Sequence, residues 1–220
     1  MAWCIDILLC KFYIQWKVFQ IVTTLKPGKP AEDVKSYRPI SLLPVLSKVF
    51  EKLLITRIQP TLQSTQIPDH QFGSRRKHTI IEQVHQITNI IHSALENKQY
   101  CTAAFLDISH AFDKAWHEGL LSKLKTFLPD NMYKILQSYL TNRYFRTKYR
   151  EAYSSLRPIL TGVPQGSILG PLLYLIYPAD LPTLENSTTA TFADDTAILT
   201  VHEDPTMVAR RLQMHLNKIQ

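Results

Sequence analysis

Residues 17–25, KVFQIVTTL, are apolar and β-branched with few interruptions, which predicts a strand, and the Pro, Gly and Lys residues of positions 26–35 predict a charged loop after it. Beyond Pro44, apolar residues at Leu46, Val49, Phe50, Leu53 and Leu54 recur at helical spacing, so an amphipathic helix is expected to end before Pro60. A second helix is marked at its start by Thr79 with Glu82 three residues on, the capping-box pattern. Ile80, Val84, Ile87, Ile91 and Ala94 line one face as far as about Asn97. CTAAFLDI, residues 101–108, has the short apolar run of a buried strand. Helices are predicted at about 119–127 and 130–140, a β-rich segment at 143–160 and an apolar helix near 168–177. A strand pair follows at 192–201, broken by Asp194 and Asp195. The predicted class is α+β.

Neither a repeat nor a Gly/Ser linker divides the 220 residues, so the chain is expected to fold as one unit. Charge changes the picture more than composition does. Lys and Arg number 25 against 18 acids, a formal charge of +7, which favours a polyanionic partner. Cys4, Cys10 and Cys101 have no zinc-ligand spacing and fit a reducing, intracellular setting in nucleus or cytoplasm. Asp6, Lys11 and Lys17 interrupt the apolar first 25 residues, so neither a membrane span nor a signal peptide is expected, and the stretch reads as core.

Asp107 ends an apolar strand with no basic neighbour in sequence, a costly place for a lone carboxylate. Asp194 and Asp195 are adjacent like charges between two β-prone runs, and a divalent cation is the simplest remedy for their repulsion. An ordinary polar hairpin turn and a strand-end acid would give the same letters. Between the two sites, GVPQGSILG holds three of the chain's six glycines and so predicts close backbone approach, without the signature of a P-loop or a dinucleotide fold. RYFRTKYR, residues 143–150, interleaves Arg143, Arg146, Lys148 and Arg150 with aromatics. That composition suits phosphate contact and base stacking, and equally an edge strand guarded by charge; Arg75, Arg76 and Lys77 form a smaller cluster of the same kind. His78, His85 and His92 recur every seven residues, roughly 10 Å apart on a helix, and read as a polar edge.

KPGK (26–29), YRPISLL (37–43), QFG (71–73), FLDISHAFDKAWH (105–117), GVPQGS (162–167) and FADD (192–195) stand in an order and spacing that resembles the reverse transcriptases of jockey-type retrotransposons without long terminal repeats. The resemblance runs from about Trp16 to Gln220. It implies a right-hand polymerase fold lacking the thumb, with fingers at 1–75, palm at 76–115 and 159–220, and a connection at 116–158. It implies RNA-directed DNA synthesis from an RNA template, a DNA primer and deoxynucleoside triphosphates. The alternative is a truncated relic that only binds nucleic acid. Asp107, Asp194 and Asp195, with the carbonyl of Ile108, are implied to hold two Mg²⁺ ions, with Mn²⁺ as substitute, roughly 3.5–4 Å apart. Phe112 is implied to exclude a 2′-hydroxyl. Gln165 and Gly166 are implied to touch the incoming nucleotide and template base, and Arg38 and Lys26 to meet the triphosphate, where a guanidinium binds phosphate oxygens bidentately. Ser74, where relatives carry an aromatic, and Pro178, inside the apolar helix, depart from the pattern.

Overall fold

The computed structural model describes residues 11–62, 66–75, 78–108 and 110–219. Eight strands are described: β1 (Val18–Leu25), β2 (Tyr37–Leu42), β3 (Tyr100–Leu106), β4 (Arg143–Tyr149), β5 (Ala152–Tyr153), β6 (Arg157–Ile159), β7 (Thr188–Phe192) and β8 (Asp195–His202). The helices are α1 (Val45–Ile58), α2 (Ile80–Glu96), α3 (Ala111–Lys114), α4 (His117–Phe127), α5 (Asp130–Leu140), α6 (Gly170–Ile176) and α7 (Pro205–Ile219). Contrary to the expected single unit, the chain forms two compact units, residues 1–62 with 110–177 and residues 63–109 with 178–220. Each unit is assembled from two separated stretches, so no shift in composition along the chain marks a boundary.

In the first unit β1 is central, antiparallel to β2 and parallel to β4, and β4 pairs in turn with β5 and β6. Phe12 packs edge-on against Trp16 and Tyr139 at centroid distances of 5.6 and 5.0 Å, which ties the segment just before β1 to α5. Of the predicted stripe of α1 only Leu54 is buried. Ser47, Glu51, Leu54 and Ile58 point inward, while Leu46, Val49 and Leu53 are exposed. The cause lies in Glu51, whose carboxylate is required inside by the backbone of another segment, described below. Helix α6 ends at Ile176, ahead of Pro178, as a ring that clashes with the preceding turn requires.

In the second unit β8 lies between β3 and β7, antiparallel to both. Thr79 and Glu82 form the capping box of α2. Its inward face is rotated from the predicted one: Gln83 and Ala94 are buried, and Ile87 and Ile90 pack against Ala190, Ala197 and Leu199. Thr200, one residue out of phase with Leu199, donates to Val208 O of α7 at 3.1 Å. Helix α7 escaped the periodicity reading, although Asp204 before Pro205 is a start signal, and Asp204 Oδ1 accepts from Thr206 N at 2.8 Å. His85 and His92 lie on the exposed side of α2. No described helix is long and apolar enough to cross a membrane.

Candidate active site

The ladder between β3 and β8 runs from Tyr100↔His202 to Leu106↔Thr196, and continuing that register by one residue sets Asp107 opposite Asp195. Residues so placed in an antiparallel pair have Cα atoms about 4.5–5.5 Å apart. The hairpin turns at Ala193 and Asp194, so Asp195 is the first residue of β8 rather than part of the turn. Asp107 and Asp195 are exposed and Asp194 is half-buried, and none of the three is ion-paired among the described residues. Ile108 follows, also exposed. Among the described residues no three His, Cys, Asp or Glu side chains surround one metal position.

The residues assigned to the nucleotide lie in the first unit, where GVPQGS is stitched to the segment after Ser109 and to β2. Val163 N donates to Phe112 O at 2.7 Å, Gly162 N to Ala115 O at 2.8 Å and Ser41 N to Gln165 O at 2.7 Å. Gly166 has φ +107°, and a Cβ there would stand 2.7 Å from Ser41 O, so only glycine lets the turn lie this close to β2. Gln165 Nε2 donates to Asp113 Oδ1 at 3.3 Å. Phe112 stacks on Tyr174 at 4.5 Å and 21°, which fixes its ring. Arg38 is exposed on β2, and Lys26 Nζ donates to Lys35 O at 3.0 Å, closing its own loop.

Glu51 and Asp113 were not distinguished by the sequence. Glu51 is fully buried; its Oε2 accepts from Ile168 N at 2.7 Å and Leu169 N at 3.2 Å, and its Oε1 from Ser47 Oγ at 3.0 Å. A carboxylate thus supplies acceptors to the amides just after GVPQGS, and a charged residue in VFEKLL carries no sign of that task.

Alternation along β4 separates the basic residues. Arg143 is 1% exposed, so its expected place on a nucleic-acid surface is corrected: its guanidinium lies 4.4 Å from the Tyr139 ring centroid and 5.1 Å from that of Phe19, and Nη1 donates to Tyr139 O at 3.3 Å. Burial holds the Tyr139 phenol above its usual range, so the ring beside the cation stays neutral. Arg146 and Arg150 are exposed and Lys148 half-buried; Arg146 and Lys148 sit over Tyr153, and Arg150 over Tyr149. Arg75 is tied into its own loop by bonds to Pro68 O at 2.9 Å and Gln71 O at 3.2 Å, and lies 3.6 Å from Asp69. Arg76 and Lys77 lie outside the described residues.

A strand-end aspartate thus stands one register step beyond the paired ladder, opposite the first residue after a hairpin turn that carries a second aspartate. Residues 25–220 match the family described as reverse transcriptase (RNA-dependent DNA polymerase), and the chain belongs to that family. It is 45% identical over 214 residues, 93% of its length, to the probable RNA-directed DNA polymerase from transposon BS of Drosophila melanogaster, and 42% identical over 214 residues to the RNA-directed DNA polymerase from mobile element jockey of the same fly. It spans about a quarter of the length of these relatives, 24% and 23%. Telomerase from Candida tropicalis, solved with a fragment of telomeric RNA, shares the fold with a TM-score of 0.62 at 12% identity, over 92% of this chain and 38% of that one.

Proposed function

We propose that the chain carries out RNA-templated addition of deoxynucleotides to a primer 3′-hydroxyl, with Asp107, Asp194 and Asp195 holding two Mg²⁺ ions. What supports this reading is the register of β3 on β8, which, continued by one residue, would set Asp107 level with Asp195 beside Asp194, with no ion pair to any of the three among the described residues. Bound there, the ions would acidify the primer hydroxyl and offset charge on the departing pyrophosphate. The chain's own part is to place carboxylate oxygens, joined by the carbonyl of Ile108, where repulsion between Asp194 and Asp195 favours a cation. Arg38 and Lys26 bring positive charge to the triphosphate, and Gln165 with Gly166 offers amide and backbone to nucleotide and template base. Phe112, held by Tyr174, is the wall against a 2′-hydroxyl.

The test is RNA-templated primer extension by a chimaera in which residues 25–220 replace the matched stretch of the jockey polymerase. Extension that depends on divalent metal is expected. A chimaera that binds template–primer like its parent yet adds no nucleotide would overturn the reading. In the same enzyme Phe112→Ala is expected to admit ribonucleotides, because discrimination by exclusion ends when the wall is removed. Unchanged selection between deoxy- and ribonucleotides would return Phe112 to a packing role on Tyr174.

Arg146, Lys148 and Arg150 make the outward side of β4 and its turn a phosphate-binding surface in this reading. Neutralising all three should lower the slope of log K against log salt by about 2–3, each phosphate contact contributing roughly 0.7–0.9. Arg143→Met should leave that slope alone. A slope that moves only with Arg143 would contradict the division of β4 into a buried and a binding side.

A further inference from the structure

Gln71, the first residue of QFG, is buried at 4% exposure and bonds backbone with both its amide oxygen and its amide nitrogen. Its Oε1 accepts from Ala193 N at 2.9 Å and from Gly73 N at 2.8 Å, and its Nε2 donates to Ala193 O at 3.1 Å. Ala193, immediately before Asp194, has φ +56°, a left-handed conformation that an L residue rarely adopts. The two stretches are joined further: Phe72 N donates to Thr191 O and Thr191 N to His70 O, both at 2.9 Å. Gly73 completes the fit, since a Cβ on it would meet Ala193 N at 2.2 Å. A strained residue gripped at both its N–H and its C=O, one position from a carboxylate, is a turn held in place from outside.

We infer that Gln71 is a positioning residue for the metal-binding hairpin, clamping Ala193 in its left-handed conformation so that Asp194 and Asp195 present their carboxylates together. The inference rests on the proposed function of those carboxylates. Only an amide meets both demands, a donor for Ala193 O and an acceptor for two N–H groups; a glutamate would turn one bond into an oxygen–oxygen repulsion.

The experiment uses the 220-residue chain and two readouts that need no catalysis: Mn²⁺ binding followed by the spin resonance of the free ion, and hydrogen exchange of the Ala193 amide. Gln71→Met is expected to speed Ala193 exchange at least tenfold and to weaken Mn²⁺ binding about tenfold, equivalent to ~1.4 kcal/mol. Gln71→Glu, which keeps length and the two acceptor bonds, should fall between Met and the parent and serves if the Met variant does not fold. Asp194→Asn separates the two levels. If it weakens Mn²⁺ binding while both Gln71 variants bind like the parent, the clamp is overturned. If it has no effect, the carboxylate assignment fails, and Ala193 exchange alone decides: faster in Gln71→Met upholds the clamp, unchanged removes it.

Discussion

Asp194→Asn is expected to cut single-nucleotide addition by the chimaera at least about 10³-fold while leaving template–primer affinity within about twofold. Metal assistance supplies several kcal/mol of barrier lowering, and each 1.36 kcal/mol is tenfold in rate. The asparagine is nearly isosteric, and Asp194 makes no ion pair among the described residues, so little of the fold depends on its charge. Asp107→Asn should behave alike, because continuing the strand register by one residue sets it opposite Asp195, next to Asp194. Pre-steady-state incorporation kinetics check both. A rate within tenfold of the parent for either variant would remove that residue from the carboxylate set.

Glu51→Leu should produce a large loss of stability. It removes the acceptor of Ile168 N and Leu169 N and leaves Ser47 Oγ without its partner in the interior. An unsatisfied buried donor costs about 1–3 kcal/mol, so the two amides together cost roughly 2–6 kcal/mol. At about 2–4 °C per kcal/mol for a chain of this size, the thermal midpoint should fall by roughly 4–24 °C. Glu51→Gln keeps one oxygen for the amides and an N–H₂ that can face Ser47, so its loss should be a fraction of that. Equal midpoints for parent and Glu51→Leu would show that the turn finds its acceptors elsewhere.

The contrast between Glu51 and Asp107 indicates what a sequence can carry. Asp107 was legible because a carboxylate at the end of an apolar strand is locally out of place, and Asp194 with Asp195 because adjacent like charges are. Both anomalies survive in one dimension. Glu51 sits in an amphipathic helix where an acid is unremarkable, and its role depends on amides 117 and 118 positions away. The same long-range demand explains why the apolar stripe of α1 was a poor guide to its buried face: Leu46, Val49 and Leu53 have the spacing, but burying Glu51 turns the helix. Arg143 failed for a related reason. Four basic residues within eight positions read as one charged surface, whereas strand alternation sends Arg143 inward between Phe19 and Tyr139 and leaves Arg146 and Lys148 on the other side. Capping boxes and prolines worked well because their physics is local: Thr79 with Glu82 starts α2, and Pro178 lies beyond the end of α6. The clamp of Gln71 on Ala193 joins residues 122 apart, and only the glycine two positions after Gln71 hints at it.

The central claim, that the β3–β8 ladder brings Asp107 and Asp194 to one metal site, is tested most directly by anomalous scattering from Mn²⁺ in crystals of the chain grown with a deoxynucleoside triphosphate. The expected result is a Mn²⁺ peak with carboxylate oxygens of both Asp107 and Asp194 in its coordination sphere. Mn²⁺ held by other side chains, with Asp107 and Asp194 pointing away from each other, would contradict it.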